Sequence, residues 1–313
     1  MLWTDAARIR WDRSVSFVRM HDGQVDVGPD ALRQLLKAQF PHWADLPAVR
    51  VPSSGTDNTI YRLGHELVVR LPLIDWAVRQ VELEHEWLPK LSPLVPVALP
   101  TPVARGEPGL GYPWCWSVYR WIEGLNPDPG RVEDLHALAL DLAAFVRALR
   151  AVNLGGLPRS ARGVPLRVGA EAIRTAIEQV RGQLDADVLM AAWEDALGAP
   201  KWDQGWVPVH GDLSDGNLLL RDNHLHAVID FSCFGLGDPA NDIDVAWDLF
   251  TNESRAAYRA ALNVDDATWR RARGWAIKAV YGIPYYERTN PGIVTRARRR
   301  LTNVIADWRD EHG

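Results

Sequence analysis

His210-Gly211-Asp212-Leu213-Ser214-Asp215-Gly216-Asn217, then Leu218-Leu219-Leu220, a polar turn and Ala227-Val228-Ile229-Asp230-Phe231, is the stretch on which the reading of this chain rests. The leucine triplet and the run ending at Ile229 read as two short strands joined by a turn, which puts Asp230 at a strand end. Taken singly, Asp212, Asn217 or Asp230 is accounted for by turn chemistry, because Asp and Asn side chains hydrogen-bond the neighbouring backbone. The order and spacing of all three together ask for more than that.

Outward from this stretch the pattern divides. Residues from 240 to the end read as several helices, and about 132 to 152, 168 to 184 and 186 to 197 as three more. Before them, Glu123-Gly124-Leu125-Asn126-Pro127-Asp128-Pro129-Gly130 clusters Gly and Pro and marks a boundary between residues 1–122 and 123–313. Ahead of it, Val49-Arg50-Val51, Ile60-Tyr61-Arg62-Leu63 and Leu67-Val68-Val69-Arg70-Leu71 read as three strands separated by the polar Pro52–Thr59 turn and Gly64. A helix around Trp76 to Leu91, an extended Pro-rich passage and a strand over Trp114 to Ile122 follow. Gly28-Pro29-Asp30 opens an earlier helix carrying Leu32, Leu35, Leu36 and Phe40, which Pro41 stops. The chain is therefore α+β, a small antiparallel sheet unit followed by a mainly helical one. Arg296, Arg298, Arg299 and Arg300 read as the solvated face of a terminal helix.

Composition narrows the function class. A chain of 313 residues, 47% hydrophobic, 24% charged and with a net charge of -5, buries a sizeable core and lacks the basic excess that nucleic-acid or anionic-membrane partners require. Cys115 and Cys233 are its two cysteines, which excludes a disulfide framework and a four-cysteine metal site. The acidic start Met1-Leu2-Trp3-Thr4-Asp5 is unlike an export signal, and no apolar run is long enough to span a bilayer, so a cytoplasmic location is expected. Fifteen tryptophans are many for this length and suit core packing or an aromatic-walled cleft.

The opening stretch resembles the catalytic loop of protein kinases, His-x-Asp-Leu-x-x-x-Asn, with an Asp-Phe pair beyond an intervening hairpin. With Gly211 where protein kinases carry Arg, it resembles the aminoglycoside phosphotransferase family within the protein-kinase-like superfamily. The resemblance implies a two-lobed fold and an Mg-dependent kinase that moves the terminal phosphoryl group of ATP or GTP to a hydroxyl of a small molecule. Phosphoryl transfer needs an acceptor for the attacking hydroxyl's hydrogen bond and oxygen ligands that hold Mg against the phosphates. By the resemblance Asp212 is the catalytic base, Asn217 and Asp230 are the metal ligands, and His210 and Asp242 brace the loop. Asp242 falls in Gly235-Leu236-Gly237-Asp238-Pro239-Ala240-Asn241-Asp242, which is also a good helix start. Asp212, Asp215, Asp230, Asp238, Asp242, Asp244 and Asp248 fall in one stretch and predict a strongly negative cleft floor that favours cationic or hydroxyl-rich acceptors.

The same resemblance puts the nucleotide-positioning loop at Ser53–Thr59, with Ser54, Gly55, Thr56 and Asn58 against phosphate, although a plain hairpin turn explains those residues equally. Arg70 stands where protein kinases carry Lys, a change that keeps the charge and alters the geometry. Glu84 is its expected ion-pair partner, with Glu82 and Glu86 as rivals. Tyr119, Arg120, Trp121 and Ile122 match the linker whose backbone contacts the nucleobase, and the same aromatic run also suits a lobe-junction core. An aminoglycoside or macrolide antibiotic is the acceptor the resemblance implies. A metabolic acceptor of sugar, choline or homoserine type stays open, as does a nucleotide-binding pseudokinase, which Arg70 and the missing Gly-rich loop suggest. A protein kinase is disfavoured by Gly211 and the lack of an Ala-Pro-Glu segment, and a zinc hydrolase on His210, His224, His226 and the nearby acids because only His224 and His226 are close in sequence and a solvent-exposed turn explains them.

Overall fold

The computed structural model describes residues 23–52 and 55–313; the start of the chain, on which the expectation about export rests, and Ser53 and Ser54 lie outside them. Helix α1 (Pro29–Gln39) begins with Pro at its first turn and buries Leu32, Leu35 and Leu36 on one side, the spacing that the sequence predicts. It packs on a five-stranded antiparallel sheet made of β1 (Ala48–Arg50), β2 (Asn58–Leu63), β3 (Leu67–Pro72), β4 (Pro102–Gly106) and β5 (Trp116–Arg120), in the order β1-β2-β3-β5-β4. Strict alternation along β2 sends Ile60 and Arg62 to one face and Tyr61 and Leu63 into the core. Because β3 pairs with β5 at Arg70↔Ser117, the central strand carries Arg70 toward the cleft side of the sheet.

Helix α2 (Arg79–Leu91) crosses the same sheet and presents two different faces. Trp87, Leu88 and Leu91 join the core of the helical region, while Glu84, 1% exposed, is buried toward Arg70. Beyond the linker come α3 (Leu135–Arg150), α4 (Ala170–Gln179) and α5 (Ala186–Gly198). Two short pairs follow, β6 (Val207–Val209) with β9 (Gly235–Gly237), and the hairpin β7 (Leu218–Arg221) with β8 (His224–Val228). Helices α6 (Ala246–Leu249), α7 (Asn252–Leu262), α8 (Asp266–Ile277), α9 (Gly282–Tyr286) and α10 (Pro291–His312) complete the chain. Asn126 of the linker clamps the helical region's loop from outside, its amide donating to the carbonyls of Gly216 at 3.0 Å and Leu218 at 2.8 Å.

Trp116, Trp193 and Trp247 are fully buried, so part of the tryptophan content is core; Trp121 and Trp275 line the cleft. The C-terminal basic run departs from expectation. While Arg298 meets Gln183 at an exposed site, Arg296, Arg299 and Arg300 on α10 are not a solvated face but turn inward to the buried carboxylates of Asp215 and Asp244. Their charge is drawn in because buried aspartates there need partners. Among the described residues no helix is long and apolar enough to cross a membrane.

Candidate active site

The loop between β6 and β7 is held in shape by groups around its backbone. Gly211 sits at φ +85°, and a Cβ there would lie 2.7 Å from Cys233 O, so conformation and space both require glycine. Asp242, wholly buried, accepts the backbone N–H of His210 at 2.7 Å and of Gly211 at 2.8 Å. Burial pushes its carboxyl pKa up, against the lowering pull of His210 and of those N–H donors. His210 Nδ1 accepts from Asp212 N at 3.2 Å while its Nε2 reaches Ile229 O at 3.1 Å, which assigns the ring proton to Nε2. One imidazole thereby ties the loop of Asp212 to the strand end of Asp230.

Asn217 spends its amide nitrogen on Asp212 O at 2.8 Å, leaving Oδ1 as the atom available to a cation. Asp230 is the residue after β8 and its flanking Ile229, and it adopts φ +66°, a left-handed conformation that a non-glycine residue holds only where its surroundings impose it. Burial alone would raise the Asp230 carboxyl, but Arg70 beside it, the Ser232 side chain and His210 hold it down to about 2. It is an anion at any physiological pH.

Across the cleft, Arg70 lies 2.9 Å from Glu84 and 3.1 Å from Asp230. Glu84 also accepts the backbone N–H of Phe231 at 2.9 Å and the hydroxyl of Tyr119. A single buried carboxylate thus joins the sheet, helix α2 and the segment after Asp230. The rival acids are elsewhere, Glu82 near Arg105 at 3.6 Å and Glu86 beside Lys90 at 3.2 Å on the surface. Gln80 extends the network, donating to Asn58 Oδ1 at 2.6 Å and standing 3.4 Å from Arg70. Thr56 donates to Asp57 at 2.8 Å at the mouth of the same cleft, which Gly55 also lines. In the linker, the N–H groups of Arg120 and Trp121 donate to Thr101 O and Glu66 O.

Thr56, Asn58, Arg70, Asp212, Asn217 and Asp230 line one cleft of about 950 Å³. Beyond Asp212 its walls are Val164, Ile173, Trp275, Tyr281, Tyr286 and Ile293, with Lys278 against the Trp275 ring at 4.0 Å. Burial lowers the Lys278 ammonium to about 8 in spite of Asp244 nearby. The expected strongly negative floor is not what the fold builds. Arg299 lies 2.8 Å and Arg296 3.7 Å from Asp215, Arg300 contacts both Asp244, at 2.8 Å, and Asp248, and Arg271 pairs with Asp238 at 2.9 Å. Burial raises Asp244 to about 7 even with Arg300 beside it. A further unforeseen guanidinium, Arg162 from the loop between α3 and α4, makes an ion pair with Asp212 itself. Neither Arg162 nor the α10 arginines belong to a local motif, and tertiary packing alone brings them here.

Asn217 and Asp230 offer hard oxygen donors facing one space, and no group of three or more His, Cys, Asp or Glu residues suited to a metal exists among the described residues. That donor set fits Mg²⁺, which takes one or two carboxylates and completes its shell with phosphate oxygens and water, and it does not fit zinc.

The family model described as the phosphotransferase enzyme family, APH, matches residues 48–275, most of the chain. The chain belongs to this phosphotransferase family. No curated relative matches the phosphotransferase in sequence. Its fold is similar to that of the GDP and kanamycin complex of APH(2")-IIIa, at 21% identity and TM-score 0.71 over 88% of this chain and 98% of that one. It is also similar to the streptomycin-ATP-APH(2")-IIa ternary complex, at 19% identity and TM-score 0.59 over 88% and 99%. Macrolide 2'-phosphotransferase type I gives 21% identity and TM-score 0.59 over 88% and 98%. The phosphotransferase thus has the two-lobed protein-kinase-like fold.

Proposed function

We propose that this phosphotransferase moves the terminal phosphoryl group of ATP or GTP onto a hydroxyl of a small acceptor. The observation that carries the reading is the convergence of Asp212, Asn217 and Asp230 on one cleft wall with the Arg70–Glu84 pair facing them. Asp212 accepts the acceptor hydroxyl's hydrogen bond and takes its proton as the new O–P bond forms. Asn217 and Asp230 would hold Mg²⁺, which when bound neutralises phosphate charge. Arg70 meets phosphate oxygens with its planar fork, held in place by Glu84. Gly55, Thr56 and Asn58 lie over the phosphates, and Tyr119–Ile122 flank the base. His210 and Asp242 keep the catalytic loop in its bent conformation. In this reading residues 1–122 are the nucleotide-binding lobe and 123–313 the catalytic and acceptor-binding lobe.

For the acceptor, relatives of the aminoglycoside and macrolide type both come into consideration, with antibiotic resistance as the consequence and the nucleotide-rich cytoplasm as the place. The pairing of Asp215, Asp244 and Asp248 with arginines, together with the aromatic and aliphatic walls, favours a macrolide-like acceptor with an apolar body over a polycationic aminoglycoside. Neither nucleic acid nor a membrane takes part.

The test is a coupled assay of ADP or GDP formation with Mg²⁺, run over aminoglycosides, macrolides and hydroxylated metabolites. Asp212→Ala should lose about a thousandfold or more in turnover, with nucleotide binding retained. An acceptor-dependent signal that survives in Asp212→Ala would refute the assignment.

A further inference from the structure

Each guanidinium lining the cleft, save one, is held by a carboxylate that the proposed reaction leaves in place. Arg70 is held by Glu84, Arg120 by Glu66, Arg296 by Asp215, and Arg300 by Asp244 and Asp248. Arg162 is different, because its partner is Asp212, the carboxylate that must receive the acceptor hydroxyl. When that hydroxyl donates to Asp212 it competes with the guanidinium, and Arg162 is released at the point where the phosphoryl group passes.

The backbone beneath Arg162 is fixed although its side chain is about half exposed. Ser160, 4% exposed, donates its hydroxyl to Cys233 O at 2.7 Å and accepts from Gly163 N at 3.0 Å and Arg162 N at 3.3 Å. Ser160 N donates to Leu236 O at 3.0 Å, and Leu236 N to Pro158 O at 2.7 Å. Residues 158–163 are therefore stapled to residues 233–237, the segment that begins three residues after Asp230. A Cβ at Gly163 would lie 2.7 Å from Gly237 Cα, so the two segments touch backbone to backbone. The staple fixes where Arg162 starts, and three or four rotatable bonds let its head swing. Asp57 and Asp230, on the nucleotide side of the cleft, both act electrostatically on this guanidinium, which locates it between the two substrates' ends.

Resting on the kinase reading above, we propose that Arg162 is the cation that stabilises the phosphoryl group in flight, and that in the free enzyme it is parked on Asp212. In the transfer the acceptor oxygen bonds to the terminal phosphorus as the bond to the bridging oxygen breaks. That electron pair stays on the departing nucleoside diphosphate, and the hydroxyl proton passes to Asp212. Negative charge is spread over three equatorial oxygens of the moving group, and a planar guanidinium meets two of them at once. The device is an arginine supplied from the same chain, carried by a loop stapled to the segment that follows Asp230.

The decisive measurement is the affinity of Mg·ADP and Mg·GDP, with and without aluminium fluoride as a mimic of the group in flight and with the acceptor identified by the coupled assay present throughout, followed by calorimetry in the wild type, Arg162→Ala and Arg162→Lys. The wild type should bind the fluoride complex more tightly than the diphosphate alone. Arg162→Ala should keep its diphosphate affinity within about twofold and lose about tenfold or more of the fluoride-dependent gain. Arg162→Lys should keep part of that gain, and guanidinium ion added to Arg162→Ala should restore part of it, which a purely structural role would not allow. Melting temperatures report that the variants are folded. Full retention of the gain in Arg162→Ala, absence of any gain in the wild type, or faster transfer in Arg162→Ala would each overturn the proposal, the last by making Arg162 only a plug. Wild-type protein that binds neither diphosphate would remove the kinase reading itself, and this proposal with it.

Discussion

The two ends of the cleft handle charge differently. At the sheet end, Arg70 stands between two carboxylates, Glu84 and Asp230, and the excess anion is left facing the space where the proposed metal and phosphates meet. At the α10 end, Asp215, Asp244 and Asp248 meet Arg296, Arg299 and Arg300, three against three. An unbalanced carboxylate in a partly buried site is costly unless a cation arrives to meet it, so the imbalance marks where a ligand with positive charge is expected. A balanced set marks a wall whose electrostatics are already satisfied and whose selectivity comes from shape and apolar contact.

The comparison is broken most severely at the unbalanced end. Asp230→Asn should abolish measurable transfer and weaken Mg-nucleotide binding at least tenfold, as read by titration calorimetry with and without Mg²⁺; tight Mg-dependent binding in the variant would put the metal elsewhere. The same variant has a pH signature. In the folded protein the Asp230 carboxyl sits at about 2, below its ordinary 3.8, so its contribution to stability is present above 3.8 and lost as pH falls toward 2. The wild type's stability advantage over Asp230→Asn should shrink across that window in denaturant melts.

A smaller but structural effect is expected at Glu84. Glu84→Ala removes the partner of buried Arg70 and orphans the Phe231 N–H, and should destabilise the protein by about 3 kcal/mol or more. Glu84→Gln, which keeps a hydrogen-bonding oxygen, should lose less stability while still slowing transfer. Equal melting of the two variants would show that packing, not the ion pair, sets the value of this site.

The gentlest change sharpens the other end. Arg300→Ala uncovers Asp244 and Asp248, and should lower the KM of cationic acceptors several-fold while leaving that of neutral ones within about twofold. If charge at this wall is irrelevant to acceptor choice, both classes will shift together.

The candidate catalytic stretch could be picked out because its information is local. Asp212, Asn217 and Asp230 occur at set spacings around a hairpin, and Gly211 marks a backbone bend that a side chain cannot follow. The alternation along β2 and β3 and the helical spacing of α1 were legible for the same reason, since period and burial are read within one element. The Arg70–Glu84 pair was reachable because the helix after a known strand offers few acids to choose from. The reading erred where charge had to be paired across the fold. A row of arginines near a C-terminus has the pattern of a solvated helix face, and nothing local distinguishes it from one that turns inward.

By itself, then, the sequence determined the α+β class, the order of elements and the chemistry-bearing loop, because strand and helix periodicity and turn geometry are set by neighbours a few residues apart. Tertiary structure alone decided the electrostatics of the α10 wall and of Asp212. Arg162 lies 50 residues before Asp212 and Arg299 84 residues after Asp215, and their meeting depends on how α10 and the stapled 158–163 loop pack. Coulomb interaction follows distance in space and local dielectric, neither of which is written in spacing along the chain.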